Sequence, residues 1–339
     1  MIPSDAMGPQ DSQRRTGSPA SGPRSDAAHP EPSGMQASTH TEIYRRFRGA
    51  LQPSFLRAMP LFSAGWRVAT KKKLALVLFF PPAIATVVFS FIVYGKFALE
   101  SGITPAALGG DGSTVNAIGA AASTFIEVRD QIVLCNMVVS LFALLIMAWY
   151  GAGLIAEDRR LGAHLLYFAR PMTHVDYVIG KFLIVGSFGL LTVLVPGLVI
   201  CTVAALASPH ASFLTQQSSV ILHTIAYGAL WTVVISSTIL AISSLVERKT
   251  YALVGAFGFF SISQGIAVLL SGLQHDKRWM MLGPIFNLRR VAMWMFGVTS
   301  TLGRQADWNI AGSWWSLAAL IALSWTILWV RVKRMEVVA

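Results

Sequence analysis

Charge-free apolar runs divide most of the chain, and basic or turn-forming segments separate them. A helix rises about 1.5 Å per residue, so about 20 apolar residues cross a bilayer. The first run, 74–95, follows Lys71, Lys72 and Lys73, and Pro81-Pro82 are expected to bend its first turns. The second is 131–156. From Phe182 to Val246 there is no Asp, Glu, Lys or Arg. That is too long for one crossing, and Ser208-Pro209-His210 with the polar stretch 215–219 divides it into 182–207 and 218–246. Glu247-Arg248-Lys249 forces a short turn before 250–271. The last run, 308–330, closes on Arg331, Lys333 and Arg334. The pattern predicts an all-α polytopic membrane protein whose six transmembrane helices form one domain over 74–334.

The flanking segments read differently. Residues 1–41 are rich in Pro, Ser, Gly and Ala and poor in large apolar side chains, a composition expected to stay disordered. Over 42–73, Tyr44, Phe47, Leu51, Leu61 and Trp66 interleave with Arg45, Arg46, Arg48, Arg57 and Arg67, which predicts an amphipathic helix lying on the inner membrane face. Residues 335–339 form a short tail. The stretch 272–307 is apolar enough to suggest a seventh span. Arg289 and Arg290 would then lie near mid-membrane, at about 2.5–3.5 kcal/mol each. A re-entrant or interfacial outer segment broken at Gly283-Pro284 is the preferred reading.

Composition strengthens this picture. The chain of 339 residues is 54% hydrophobic and 13% charged, with mean hydropathy +0.58. Soluble domains carry about 25% charged residues, so an ordinary soluble enzyme is excluded. The net charge of +11 would suggest nucleic acid in a soluble protein. Here the basic residues flank the apolar runs, so no nucleic-acid partner is expected and the charge sets topology instead. Basic residues gather before the first span, in 157–181, after the fourth span and in the C-terminal tail. By the positive-inside rule those segments and both termini are cytoplasmic, in a cell (inner) membrane. Cys135 and Cys201 fall inside apolar runs and read as small hydrophobes.

The most informative loop is the one between the second and third spans, from Glu157-Asp158-Arg159-Arg160-Leu161-Gly162 to Arg170-Pro171, then on to Tyr177 and Gly180-Lys181. Read as a helix, Leu161, Leu165 and Phe168 share a face, with acidic residues at its start and Arg170 before the Pro171 stop. Such a helix lies on lipid or fills a groove on a soluble partner; residue physics alone does not choose between them. The pattern resembles the coupling-helix loop of type-2 ABC transporter permeases, matched at Glu157, Arg159, Arg160, Gly162, Leu165, Leu166, Arg170, Pro171, Tyr177, Gly180 and Lys181. Weaker likenesses lie in the basic helix before the first span, in Ser243–Lys249 and in Leu282-Gly283-Pro284. His164 departs from the family, which commonly has Glu there, so a salt bridge from this position to an ATPase is in doubt.

The resemblance implies a permease subunit of an ATP-driven ABC exporter. Its partners would be an ABC ATP-binding subunit, a second permease copy or paralogue, and the lipid bilayer. It implies coupling through a cytosolic coupling helix built from Glu157, Arg159, Arg160, Leu161, Gly162, Leu165, Phe168, Arg170 and Pro171. The chain itself lacks the Gly-x-x-x-x-Gly-Lys-Ser/Thr phosphate loop: five positions before the glycines of Gly95-Lys96 and Gly180-Lys181 stand Ser90 and Val175. No enzyme activity, cofactor or metal is therefore expected in this chain, with ATP and Mg bound by the partner. His-Glu-x-x-His and Gly-x-Ser-x-Gly are also missing. Gly109-Gly110-Asp111-Gly112 reads as a turn. Ala252 with Ala256 and Ser261 with Gly265 are spaced for close helix approach, either at a permease dimer seam or within one subunit. Two other classes are a non-transporting membrane scaffold or assembly factor, and an intramembrane enzyme built on a polar residue such as His174 or Asp176.

Overall fold

The structure, a computed structural model, describes residues 54–70, 73–100, 127–163, 173–208, 218–301, 304–305 and 307–334. The segment 1–41, the first part of the amphipathic segment 42–73, and 335–339 lie outside them. The elements, in chain order, are helices α1 (Ser54–Thr70), α2 (Lys73–Glu100), α3 (Val128–Arg160) and α4 (His174–Gly189). A π turn at Leu190–Leu194 joins α4 to α5 (Val195–Ala207). After these come α6 (Ser218–Leu245), α7 (Lys249–Gln274), a 3-10 turn at Lys277–Leu282, α8 (Pro284–Phe296) and α9 (Ile310–Arg334). Between α8 and α9, Ser300–Thr301 pairs antiparallel with Arg304–Gln305.

Six helical segments are long and apolar enough to cross a membrane: Val77–Leu99, Val128–Arg160, His174–Ala207, Ser218–Leu245, Lys249–Gln274 and Ile310–Arg334. The fold is thus helical with six candidate spans, the architecture of a multi-pass membrane protein. The helices outrun the charge-free windows because capped, charged turns continue them beyond the apolar stretch. The third span shows this best. It begins at His174 instead of 182, where Thr173 and Asp176 form a reciprocal capping box that satisfies two N-terminal donors.

Helices α3 and α6 form the centre. α6 packs on α3, α4, α7, α8 and α9, and about two-thirds of its apolar window is buried. α2, α7 and α9 are peripheral and turn bulky apolar side chains outward, among them Phe91 (72% exposed), Val254 and Trp315. An exposed apolar surface of this extent has hydrocarbon as its natural solvent. Several hydroxyls inside the bundle return to their own helix. Thr86 donates to Pro82 O (2.7 Å), Ser237 to Val233 O (2.7 Å) and Thr238 to Val234 O (2.8 Å). With no water to accept them, the i−4 carbonyl is the nearest acceptor.

Two backbone irregularities have local causes. Pro196 has no N–H, and its ring would strike the Thr192 carbonyl in a regular α turn; the π turn spans that carbonyl. Pro81 and Pro82 lie inside α2, which continues through both to Glu100. Helix α1 docks on α4 by reciprocal notches. A Cβ on Gly180 would come within 2.7 Å of Leu61, and one on Gly65 within 2.3 Å of Ile184. Only glycine admits the two large side chains. The docking continues as a ring stack, with Phe188 between Trp66 (4.6 Å) and Tyr150 (4.4 Å).

The stretch 272–307 is not one continuous helix. The 3-10 turn ends at Leu282, Gly283 caps the next helix and Pro284 opens α8, as the Gly-Pro break predicts. The 13 residues of α8 rise about 20 Å, short of the roughly 30 Å hydrocarbon thickness. Asn287 ties the segment together, donating to Met281 O (2.6 Å) and Ser316 Oγ (3.0 Å). Arg290 Nε donates to Trp308 O (3.0 Å), bracing α8 against the chain entering α9.

Candidate functional site

The C-terminus of α3, the N-terminus of α4, the turn joining α6 to α7, and α1 meet at one end of the bundle. α3 stops at Gly162, whose φ of +66° is the left-handed conformation that ends helices and suits glycine. Arg159 and Arg160 in its last turn complement the helix dipole. Glu157 and Asp158 therefore belong to the end of the spanning helix. The sequence reading had set these acids at the start of a separate loop helix; the Gly162 stop moves them into α3.

Asp158 turns inward. Its Oδ2 lies 2.7 Å from Lys181 Nζ and accepts from Tyr177 Oη at 2.8 Å. The Lys181 ammonium also stands 5.5 Å from the centre of the Tyr177 ring. Lys181 and Asp158 side chains are only 5% and 14% exposed. A buried carboxylate is tolerable when paired and hydrogen-bonded, as here. This contact fastens α3 to α4.

Arg159 fastens α3 to the next pair. Its Nη1 donates to Ser244 O (2.8 Å), and Nη2 lies 3.7 Å from Glu247. One turn deeper, Ser243 Oγ donates to Ala152 O (2.7 Å) and lies 3.2 Å from Ala156 N. Lys249 extends over the Trp149 ring at 4.9 Å. The ends of α3, α4, α6 and α7 are thereby joined through polar contacts.

Of the residues expected to couple to a partner, Glu157, Arg160 and Leu161 are exposed, Leu161 at 69%. Arg159 is engaged within the chain. His164, Leu165, Leu166, Phe168, Arg170 and Pro171 lie outside the described residues. Among the small residues of α7, Ala252 and Ala256 are buried, Ala252 in a cluster with Ala152 and Ala156 of the same chain. Ser261 and Gly265 are on the exposed face. His174 is partly buried beside the capping box, and Asp176 is occupied by that box. Among the described residues no group of three or more His, Cys, Asp or Glu is arranged to hold a metal ion.

The Asp158–Lys181 pair is absent from the coupling residues picked out in the sequence. A signal was there. Lys181 stands one residue before the charge-free run of the third span, so a buried partner of opposite charge was to be sought at the end of a neighbouring span. No protein-family model matches the chain, and neither does any curated protein.

Proposed function

We propose that this chain is the membrane-spanning permease subunit of an ATP-driven exporter of the type-2 ABC class. It works with a separate ATP-binding subunit and a second permease, identical or related, in the inner membrane with both termini cytoplasmic. The Ser261–Gly265 face of α7 is available to a permease seam. The 3-10 turn and α8 form a re-entrant or interfacial outer segment, and residues around 161–171 supply the coupling helix.

The observation that carries this reading is the fastened end of the bundle. Asp158–Lys181 and Arg159–Ser244 join α3 to α4 and α6, while Glu157, Arg160 and Leu161 stay exposed at the mouth of the connecting loop. A force applied to that loop enters spans already locked together, which a chain driven by a soluble motor requires. The resemblance of the loop to permease coupling loops adds to this.

The test is purification of the chain, expressed with its neighbouring genes, followed by identification of stoichiometric partners. We expect a soluble ATP-binding subunit, lost in Leu165→Asp or Phe168→Asp while membrane insertion is retained and export abolished. Normal export by both variants would overturn the coupling role. Recovery of the membrane protein without any ATPase would favour a scaffold.

A further inference from the structure

The third span is built in two pieces, and α2 beside it carries a weak point at the same depth. In the third span the π turn Leu190–Leu194 and Pro196 interrupt the regular ladder of backbone bonds. In α2 the interruption is Pro81-Pro82, which removes two backbone donors. Phe79 stands two residues before Pro81, and Phe188 two residues before Leu190. Their rings lie 6.2 Å apart, so the two breaks are level. A threonine follows in each helix: Thr86 Oγ donates to Pro82 O at 2.7 Å, and Thr192 Oγ to Phe188 O at 2.6 Å. Hydroxyls turned back on the i−4 carbonyl loosen and bend a helix.

The two sides of the breaks are held differently. Toward the fastened end, Asp158–Lys181 ties α4 to α3, and Arg159 ties α3 to α6. Beyond the breaks, among the described residues, no ion pair joins α5 to another helix. Its one hydrogen bond to a neighbour there is the 3.7 Å contact of Cys201 Sγ with Thr224 Oγ. α5 packs more extensively on α2 than on α3 or α6. Its seam with α6 runs through small residues. A Cβ on Gly197 would come within 2.5 Å of the Thr224 methyl, and one on Gly228 within 3.0 Å of Leu194. Seams of this kind let backbones approach closely and slide with little repacking.

We propose that the π turn and Pro81-Pro82 form one hinge line. About it, α5 and the adjoining part of α2 swing as a pair while the fastened half of the bundle stays fixed. α2 also packs on α3, so the pair slides over α3 as the α5–α6 seam parts. Parting that seam opens the end of the bundle away from the fastened one. This deepens the exporter reading, on which the use of the opening for outward release rests; the hinge itself is tested without it.

The reporter is Cys201, 3% exposed on that seam. The full chain carrying Cys135→Ala is purified with whatever subunits remain bound, placed in lipid nanodiscs and treated with a water-soluble maleimide. Cys201 is expected to react slowly but completely, at a rate set by opening. Pro81→Ala and Pro196→Ala each restore a backbone donor, and each is expected to slow labelling about fivefold, the effect of one backbone hydrogen bond. Fraying from the end of α5 would be indifferent to Pro81, which stands in another helix. Ser236, fully buried on the fastened side, supplies the contrast. A thiol placed there by Ser236→Cys, in a chain with Cys135→Ala and Cys201→Ala, is expected to stay unreactive over the same time. A Cys201 that never reacts, a Ser236→Cys thiol that reacts as fast, or a Pro81→Ala protein labelled at the parental rate would each overturn the hinge. If the alanine variants fail to fold, hydrogen exchange in the parent decides. Amides of α5 are expected to exchange together with those of α2 beyond Pro82 and faster than those of α4; equal protection of α4 and α5 would overturn the proposal. Where an ATP-binding subunit remains bound, ATP is expected to raise the Cys201 rate. An unchanged rate, with the proline effects intact, would count against the exporter reading and leave the hinge standing.

Discussion

Asp158 and Lys181 concentrate the energetic risk of this fold into one contact. Both are nearly buried, and each is satisfied by the other and by Tyr177. Removing one partner leaves an uncompensated charge in a poorly solvated site, at a cost of about 3–5 kcal/mol, whereas replacing both with apolar groups is far milder. We therefore expect Asp158→Asn and Lys181→Met each to lower stability by that order in detergent unfolding, with the double variant recovering most of the loss. Equal losses in the single and double variants would mean that the two charges are not coupled. Legibility at this scale was uneven. Gly162 and Arg159 sit in a motif visible in the sequence, but their parts as helix stop and as fastener of α3 to α6 emerge only in the fold. The partner of Lys181 is 23 residues earlier (181 − 158) on another helix, a distance that no local pattern spans.

Among the elements, α1 is the one whose position the chain pattern leaves open. Its alternation of aromatic, apolar and basic residues predicts a helix lying on a surface, and α1 is helical from Ser54 to Thr70. What it lies against is set by two glycines, with Leu61 entering at Gly180 and Ile184 at Gly65. Gly180→Val would press a branched side chain into Leu61, and overpacking of this kind typically costs about 1–3 kcal/mol. We expect faster proteolysis within 54–70 in Gly180→Val at unchanged expression; protection equal to the parent would show that α1 is held elsewhere. The outer segment was legible for a related reason. Gly283-Pro284 breaks a helix wherever it falls, and the break is found there. The inward turn of Arg290 was not legible, because its acceptor is the Trp308 carbonyl, beyond the pair of short strands.

At the level of the whole molecule, six candidate spans return the chain to its starting side. The fastened end carries Arg159, Arg160, Arg248, Lys249, Arg331, Lys333 and Arg334. At the far end, Lys277 pairs with Asp307 and Arg278 lies 3.9 Å from Asp276, which lowers the weight of those two residues as topology signals. We expect single cysteines replacing Arg160 and Arg334 to be labelled from the same face of sealed vesicles, and one replacing His275 from the opposite face. Labelling of Arg334→Cys and His275→Cys from one face would require an odd number of crossings.

The sequence by itself determined the number and order of the candidate spans and the break at Gly283-Pro284. These follow from chemistry local to a helical turn: apolar length against bilayer thickness and a missing N–H. Tertiary structure alone decided which small residues pack within the chain, how Asp158 finds Lys181, and that α1 docks on α4. Each of those contacts joins residues far apart in the chain, and close packing of one helix against another selects among partners that the one-dimensional pattern leaves equivalent.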